Sequence, residues 1–376
     1  MERDRLNRRE FMRIAAAGAG AAALPLAAAC SARADQGGGL SDHEALAYEK
    51  LGGADVGCML CPNQCIIPPG ERGNCGVREN QEGKLVSLVY GRLCSAQVDP
   101  IEKKPLFHFR PGTKAFSIAA PGCNVECQFC QNWQISQVAP EDATTRHIPP
   151  EQIPDLARKG DCDSIAFTYS EPTVSFEYTL DVARAAEGTG VDCVSITNGY
   201  IQADPMKRLC EHLAAVKIDL KAFTEKFYRR YVRGRLQPVL DTIELLGELG
   251  MHTELVVLLI PGLNDGEEEI KQMSRWLVET VGPDVPMHFS RFHPAYKMTN
   301  LPRTPGRTVE RACEIAQEQG VHYAYAGNMP GNKYESTYCH SCGKMLIERF
   351  GFRIVREQIA GGKCPDCGTQ IPGVWG

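Results

Sequence analysis

The sequence predicts an α/β fold: a partial (β/α)6 barrel of the TIM type, flanked by small Cys-rich metal-binding modules. Between residues 111 and 330, short apolar runs alternate with helical patterns, as in a parallel sheet with crossover helices. The apolar runs are nearly continuous, as in Leu255–Ile260, which is typical of strands that are buried on both faces. No Gly-x-Gly-x-x-Gly follows the first strand, and this favours a barrel over a dinucleotide-binding fold.

The elements of the barrel follow from this alternation. The predicted strands span residues 115–120, 164–169, 192–197, 214–220, 253–260, 286–292 and 321–325. The predicted helices span residues 173–187, 205–213, 236–249, 266–280 and 307–319. In barrels of this kind the chemistry gathers at the carboxyl ends of the strands, so polar side chains that follow the strands are candidate site residues.

Composition limits the classes of protein to consider. The chain has 376 residues with 43% hydrophobic and 23% charged residues, which is usual for a globular protein and excludes fibrous or wholly disordered classes. The formal net charge is −5, and without residues 1–34, whose six Arg and three acidic residues carry +3, it is −8. An acidic chain argues against a large nucleic-acid-binding surface.

Residues 1–34 are predicted to be a twin-arginine-type signal segment. Arg8 and Arg9 precede an Ala/Gly-rich apolar stretch that runs from residue 14 to residue 29. Processing before Cys30 would give a lipidated, membrane-anchored chain, and processing after Ala34 would give a periplasmic one. The alternative is an ordinary basic, Ala-rich helix on a cytoplasmic protein.

The rest of the chain divides into three predicted parts. A Cys-rich module with its connector spans residues 35–110, the barrel spans 111–330, and a zinc-ribbon-like module spans 335–376. Most of the 17 cysteines fall in short-spaced sets, which points to metal binding more than to a disulfide framework.

The central cysteine set follows the first predicted strand of the barrel. Cys123, Cys127 and Cys130 form a Cys-x3-Cys-x2-Cys pattern on a loop that Pro121 and Gly122 open. Thiolate is the ligand that iron–sulfur clusters select, and a cubane cluster needs four ligands, so three cysteines leave one iron open. A zinc site that borrows a distant fourth ligand is the alternative.

This loop resembles the cluster loop of the radical S-adenosylmethionine (SAM) superfamily, which has the same spacing and an aromatic residue before the last cysteine, here Phe129. The resemblance implies that the three cysteines hold a 4Fe–4S cluster whose open iron binds SAM, and that Phe129 packs near the adenine. It further implies that one electron, supplied by an electron donor, splits SAM and yields a 5′-deoxyadenosyl radical that abstracts hydrogen.

Residues that follow the later strands fit this resemblance. Glu171 is expected against the methionine ammonium; Asn198, Asp219 and Lys221 lie in segments similar to those of glycyl-radical-enzyme activases; and His293 is expected near the ribose. The alternative for Glu171 is an acid that starts a helix. For Asp219 and Lys221 it is an ion pair that caps a strand end, and for His293 it is a structural role. Ile196 stands where the activases often have an acidic residue. Not every cofactor contact of the activases is therefore expected in this chain.

Nearly the whole chain after the signal segment resembles the radical SAM enzymes of the AmmeMemoRadiSam system. The similar phrases span residues 58–65, 99–106, 122–124, 129–137 and 371–375. The resemblance implies Memo-like and AMMECR-like protein partners. It also makes Lys103, Lys104 and His108 candidates for substrate contact, although solvated or packed roles are the favoured alternative. SAM and low-potential electrons are normally made in the cytoplasm, so an export signal is unexpected on a protein that needs both.

Two further cysteine sets are candidate metal sites. Cys58, Cys61, Cys65 and Cys75 offer four thiolates, which indicates a structural zinc or an accessory iron–sulfur cluster, with disulfides as the alternative outside the cytoplasm. Cys339, Cys342, Cys364 and Cys367 form two Cys-x2-Cys knuckles, each followed by Gly, which predicts a zinc ribbon, with rubredoxin-like iron as the alternative.

The sequence thus predicts a radical SAM enzyme that abstracts hydrogen from an unidentified substrate, with a partner protein as one candidate. A zinc-rich scaffold without catalysis and an RNA-modifying radical enzyme are the alternative functions. The acidic composition argues against the RNA enzyme.

Overall fold

The protein is described here by a computed structural model of residues 39–376. The predicted signal segment 1–34, including Cys30, lies outside the described residues. Among the described helices, none has the length and apolarity needed to cross a membrane.

A module of short strands precedes the barrel. Its strands are β1 (His43–Glu44), β2 (Tyr48–Lys50), β3 (Val56–Cys58), β4 (Ile66–Ile67), β5 (Arg78–Gln81), β6 (Lys84–Ser87) and β7 (Arg92–Leu93). They form two three-stranded sheets, ordered β1-β6-β5 and β2-β3-β4, while β7 pairs with a later strand, β10 (Arg146–His147). Cys58 ends β3, and the segments between the strands carry Cys61, Cys65 and Cys75.

The barrel is built on one eight-stranded sheet. Its strands are β8 (Ser95–Pro100), β9 (Lys114–Ala119), β11 (Ser164–Phe167), β12 (Asp192–Thr197), β13 (Ala215–Asp219), β14 (Thr253–Leu259), β15 (Met287–Arg291) and β16 (Ala324–Gly327). The order is β16-β15-β14-β13-β12-β11-β9-β8, in which β8 alone runs antiparallel. Because each parallel strand lies beside the previous parallel one, all seven carboxyl ends meet at one rim of the sheet.

Helices connect these strands. They are α1 (Trp133–Ser136), α2 (Ile153–Lys159), α3 (Phe176–Ala186), α4 (Ala203–Cys210), α5 (Glu225–Phe227), α6 (Gln237–Glu248), α7 (Glu267–Thr280) and α8 (Gly306–Glu318). The helices α2, α3, α4, α6, α7 and α8 each join one parallel strand to the next. Six β–α units followed by a seventh strand confirm the predicted partial (β/α)6 barrel.

The strands form because their residues suit burial on both faces. In β14, six of the seven residues are buried, and most are β-branched or Leu. The helices are amphipathic: α8 buries Val309, Ala312, Cys313 and Ala316, which are spaced three or four residues apart, against the sheet. Buried Cys162, Cys193 and Cys313 are part of this core.

The tail forms a separate three-stranded antiparallel sheet. Its strands are β17 (Thr337–Tyr338), β18 (Met345–Phe350) and β19 (Arg353–Glu357). It packs on Phe107, Tyr323 and Tyr325, near the amino end of β16. The tail therefore covers the end of the barrel opposite the rim at which the parallel strands finish.

His108 belongs to this tail interface. It is fully buried, and its ring lies 2.6 Å from the Pro372 carbonyl oxygen and 2.7 Å from the Tyr325 hydroxyl. Burial lowers the pKa of His108 to about 4, so the ring is neutral at physiological pH. Its position identifies His108 as a structural residue rather than the substrate contact that the resemblance suggested.

Candidate active site

A cavity of about 490 Å³ opens at the rim where the parallel strands end. Its lining includes eight of the nine residues that the sequence predicts for the central cluster and SAM. They are Cys123, Cys127, Phe129, Cys130, Glu171, Asn198, Asp219 and Lys221. The fold thus brings together side chains that are spread over about one hundred residues of sequence.

His293 is the ninth predicted residue and is not part of this lining. It lies beyond β15, where its Nδ1 accepts a hydrogen bond of 3.1 Å from Arg303 Nε. Burial and the charge of Arg303 lower the pKa of His293. Its contact with a ribose stays a prediction.

The cysteine loop, residues 120–132, connects β9 to α1. Its entry is fixed by Gly122, whose φ of +106° is available to glycine and rarely to other residues. A Cβ at this position would lie 2.7 Å from Val77 Cγ1, so the loop also needs glycine for its close approach to the N-terminal module. At the other end, Cys130 Sγ lies 3.2 Å from Ser136 Oγ.

The three sulfurs are suited to a cluster more than to a single ion. Around one tetrahedral zinc with bonds of about 2.3 Å, sulfurs lie about 3.8 Å apart. Among the residues that the structure describes, the sulfurs of Cys123, Cys127 and Cys130 do not all come within 4.8 Å of one another, whereas those of the four tail cysteines do. Of the described lining residues, these three are the only cysteines.

The thiols of this loop need a metal in order to ionise. Burial raises the pKa of Cys127 to about 12, although the charge of Lys221 opposes this, and burial also raises the pKa of Cys123. At neutral pH both side chains are therefore protonated until iron displaces the protons. Three soft donors at a cavity, of which Cys127 is buried and the other two are partly buried, fit the ligand set of a cluster with one open iron.

Glu171 joins the ends of β11 and β12. Its Oε1 accepts hydrogen bonds from the Thr173 backbone NH at 3.0 Å, the Thr173 hydroxyl at 2.7 Å and the Thr197 hydroxyl at 2.6 Å. Its Oε2 accepts one from the Asn198 backbone NH at 2.8 Å. Burial nevertheless raises the pKa of Glu171, because all four donors are neutral groups. A cation at the cavity would favour the ionised carboxylate.

Two lysines share one carboxylate at the end of β13. Asp219 accepts a hydrogen bond from Lys217 and another of 2.8 Å from Lys221. Residues 217, 219 and 221 all line the cavity, as the two-residue period of a strand requires. Burial raises the pKa of Asp219, but the two ammonium charges outweigh it and hold that pKa far below its usual range.

Asn198 connects the third strand end to the cysteine loop. Its Nδ2 donates to Asn124 Oδ1 at 2.9 Å and lies 3.8 Å from Cys123 Sγ, within reach of a weak N–H···S hydrogen bond. The amide of Asn63, which stands between two N-terminal cysteines, donates to the Asn124 carbonyl at 2.9 Å. The N-terminal module is therefore in direct contact with the cysteine loop.

Sequence reasoning found only part of one wall of the cavity: the resemblance suggested Lys103 and Lys104, whereas Lys217, Tyr169 and Asp99 were missed. Lys103, Lys104 and Tyr169 line it, together with Lys217, and Asp99 anchors Lys103 and Lys104 behind it. Tyr169 adopts a φ of +66°, a left-handed conformation that is uncommon outside glycine and aims its hydroxyl at Asp99. The period-two spacing of residues 217, 219 and 221 could have identified Lys217, whereas only the fold brings Asp99 and Tyr169 together.

Comparison with known proteins identifies the family. The profile of the radical SAM superfamily matches residues 117–277, which include the cysteine loop and strands β11–β14. An uncharacterized protein of Methanocaldococcus jannaschii, MJ0808, is 43% identical over 330 residues, which are 87% of this chain and 98% of that protein.

The chain belongs to the radical SAM superfamily.

Solved structures with a similar core are distant in sequence. A radical SAM methyltransferase from Sphaerobacter thermophilus is 18% identical, with a TM-score of 0.46, over 63% of this chain and 71% of its own. SuiB of Streptococcus suis bound to S-adenosylmethionine is 15% identical, with a TM-score of 0.46, over 64% of this chain and 56% of its own. Membership of the superfamily implies a 4Fe–4S cluster and SAM as cofactors, and the three-cysteine loop fits that cluster.

The tail cysteines form the tightest candidate metal site. Cys339 Sγ lies 3.6 Å from Cys367 Sγ, and Cys342 Sγ lies 3.7 Å from Cys364 Sγ, close to the spacing around one tetrahedral ion. The structure also groups Asp284, His322 and His340 at the surface nearby. By contrast, the sulfurs of the N-terminal set are not gathered within 4.8 Å, among the residues described.

Replacing Cys364 by serine is expected to release the tail metal and unfold the tail, because a forty-residue segment buries too little to fold alone. Elemental analysis should show the loss of one ion per chain, and the iron of the barrel should stay. A tail that keeps its ion in this variant would contradict the predicted ribbon.

Proposed function

We propose that this chain is an enzyme that cleaves SAM reductively at a 4Fe–4S cluster held by Cys123, Cys127 and Cys130, and abstracts hydrogen from a substrate in the same cavity. The observation that supports it most is the position of these three thiols at the rim, where they face buried charged groups across the cavity. When bound, the cluster supplies one electron that splits SAM into methionine and a 5′-deoxyadenosyl radical.

The charged side chains of the rim suit the methionine part of SAM. The hydrogen bonds described for Glu171 all come from neutral donors, and the ammonium of SAM would provide a cationic partner. Lys221, next to Cys127 and hydrogen-bonded to Asp219, is a cation available to the carboxylate of SAM. Phe129, which is buried and packs 5.8 Å from the Phe227 ring centroid, provides an apolar surface for the adenine.

Asn198 is expected to tune the cluster through its contact with Cys123. A hydrogen bond to a ligand sulfur stabilises the more negative, reduced cluster and so raises its reduction potential. Replacing Asn198 by leucine should therefore lower the potential, as measured by a redox titration followed by electron paramagnetic resonance. An unchanged or higher potential in a variant with full iron content would contradict this role.

A second candidate is the activation of a partner protein. The segments that resemble the activases, residues 197–199 and 217–221, both contribute to the cavity lining and so favour it. Memo-like and AMMECR-like proteins are the proposed partners. Export by the twin-arginine route is proposed as well, with the cytoplasm as the alternative.

The flanking cysteine sets support different metals. The close sulfur spacing of the tail favours zinc as a structural ion. The N-terminal set is spaced more widely, and we propose that it holds an accessory iron–sulfur cluster whose contact with the cysteine loop suits electron relay.

Anaerobic reconstitution of the full chain tests the proposed activity. With dithionite and SAM, the protein should form 5′-deoxyadenosine and methionine, and air should abolish the reaction. A zinc-only protein that forms neither product would contradict the proposal and favour the scaffold alternative.

A further inference from the structure

The lining of the cavity holds more ammonium groups than carboxylates. Four lysines line it, Lys103, Lys104, Lys217 and Lys221. Their ion-pair partners are two carboxylates, Asp99 and Asp219, each of which pairs with two lysines. Even with Glu171 ionised, these groups leave an excess of positive charge.

Lys104 is the most enclosed of these cations, with 2% of its surface exposed. Its Nζ lies 2.6 Å from Asp99 Oδ2 and 4.4 Å from the ring centroid of Tyr169. The same carboxylate also accepts from Lys103 Nζ at 2.7 Å and from the Tyr169 hydroxyl. An ammonium has three N–H donors, and Asp99 takes only one from Lys104.

Lys217 is in a similar position on the neighbouring wall. It is 4% exposed, and its Nζ donates to Asp219, which Lys221 also binds. Burial, together with the charges of Lys103 and Lys217, lowers the pKa of Lys104 to about 8 against the opposing effect of Asp99. Two buried ammonium groups with spare donors are costly unless an anion binds them.

The two ammonium groups reach the cavity from different strands. Lys104 follows β8, in which Asp99 lies opposite Ala115 of β9. Lys217 lies opposite Ile196 in the β12–β13 pairing, two residues before β13 ends at Asp219. A group bound between them is held from two walls of the cavity.

We propose that the substrate is a small organic acid whose carboxylate is bound between the ammonium groups of Lys104 and Lys217. This inference rests on the proposed function, because SAM would bind in the same cavity. A cavity of about 490 Å³ is in the size range of small-molecule sites, which suits a small acid.

Binding of small acids to the reconstituted full chain, with SAM present, tests the inference. The probes are acetate, pyruvate, succinate and glutamate, each compared with its neutral amide by calorimetry, and inorganic phosphate. At least one acid should bind ten times or more tightly than its amide. No preference for any acid, or tight binding of phosphate alone, would overturn the organic-acid assignment.

Variants locate the binding site. Lys104→Met and Lys217→Met should each weaken binding of the preferred acid at least tenfold, because a buried charged hydrogen bond is lost. Lys114→Met, which removes a surface lysine paired with Asp161, is the matched control and should bind normally. Iron content and circular dichroism report whether each variant folds. If neither lysine variant folds, the comparison of acid with amide in the unaltered protein decides whether the substrate class is right.

The same samples separate the two levels of the proposal. If the unaltered protein forms 5′-deoxyadenosine but prefers no acid, the substrate class is overturned and the proposed function stands. If it prefers an acid but forms no 5′-deoxyadenosine, the anion site stands and the proposed function fails.

Discussion

Replacing Cys127 by alanine is expected to abolish SAM cleavage. This buried thiol lines the cavity with Cys123 and Cys130, and two cysteines do not hold a cluster that needs three protein ligands. The reconstituted variant should lack about four irons per chain, the content of one 4Fe–4S cluster. Formation of 5′-deoxyadenosine, measured by chromatography, should fall to the level without enzyme.

The control for this variant is Cys210→Ala. Cys210 ends α4, away from the three cysteine sets, and its partial burial makes it a small packing residue. This variant should keep its iron and its activity. Full 5′-deoxyadenosine formation by the Cys127 variant would contradict the assigned cluster ligands, and loss of the tail metal with the iron would contradict the independence of the tail.

Replacing Glu177 by glutamine is expected to destabilise the protein by about 3–5 kcal/mol, because it leaves the buried Arg78 guanidinium without a charged partner. The native pair is bidentate, at 3.1 and 2.6 Å, and both side chains are 1% exposed. Glu177 Oε1 also accepts from the Leu46 backbone NH at 2.9 Å. These contacts attach the N-terminal module to α3, so urea unfolding should show a lower midpoint.

The pH dependence of this effect has a definite sign. Burial alone would raise the pKa of Glu177, but Arg78 outweighs it and holds the pKa below its ordinary value. The stabilisation is therefore complete above the ordinary pKa of a glutamate, about 4.3. It is lost as the pH falls through the lower pKa of the folded state, so the difference between native protein and variant should shrink in acid.

Asp155→Asn is the matched control, since Asp155 forms an exposed ion pair with Arg158. Such pairs contribute roughly 0–1 kcal/mol. An equal loss of stability in the two variants would contradict the special role of the buried pair.

Much of the barrel could be predicted because local patterns determine it. Strands buried on both faces produce the continuous apolar runs, and each of the seven predicted strands overlaps an observed one. The antiparallel strand β8 was not predicted, because Ser95–Pro100 contains Gln97 and Asp99 and ends in proline. Its exposed residues reflect an edge strand with one neighbour, which an apolar pattern does not reveal.

The candidate site was predictable where chemistry is concentrated in short motifs. Cys123, Cys127 and Cys130 are recognisable from their spacing, Glu171 follows a predicted strand, and Asp219 lies near the carboxyl end of another. The resemblance suggested Lys103 and Lys104, but the assembly of the lysine-rich wall was not predictable, because Tyr169 and Asp99 are 70 residues apart and meet only through the pairing of β8 with β9. His108 is close to Lys103 and Lys104 in sequence, but its ring faces the tail and not the cavity.

The spacing of cysteines along the chain does not determine which metal each set binds. The N-terminal and tail sets each have four cysteines, and the sequence predicts zinc for the tail set but leaves zinc and an iron–sulfur cluster open for the N-terminal set. In three dimensions the tail sulfurs gather within 4.8 Å and the described N-terminal ones do not, because Gly343 and Gly368 allow tight turns at φ of +74°.

Mössbauer spectroscopy of the anaerobically reconstituted, iron-57-labelled full chain tests the open-iron site most directly. We expect the Cys123–Cys127–Cys130 cluster to contain one iron whose spectrum changes when SAM is added, while the other three irons of that cluster do not change. A cluster with four equivalent irons that ignore SAM, or a loop that holds only zinc, would contradict the proposed catalytic site.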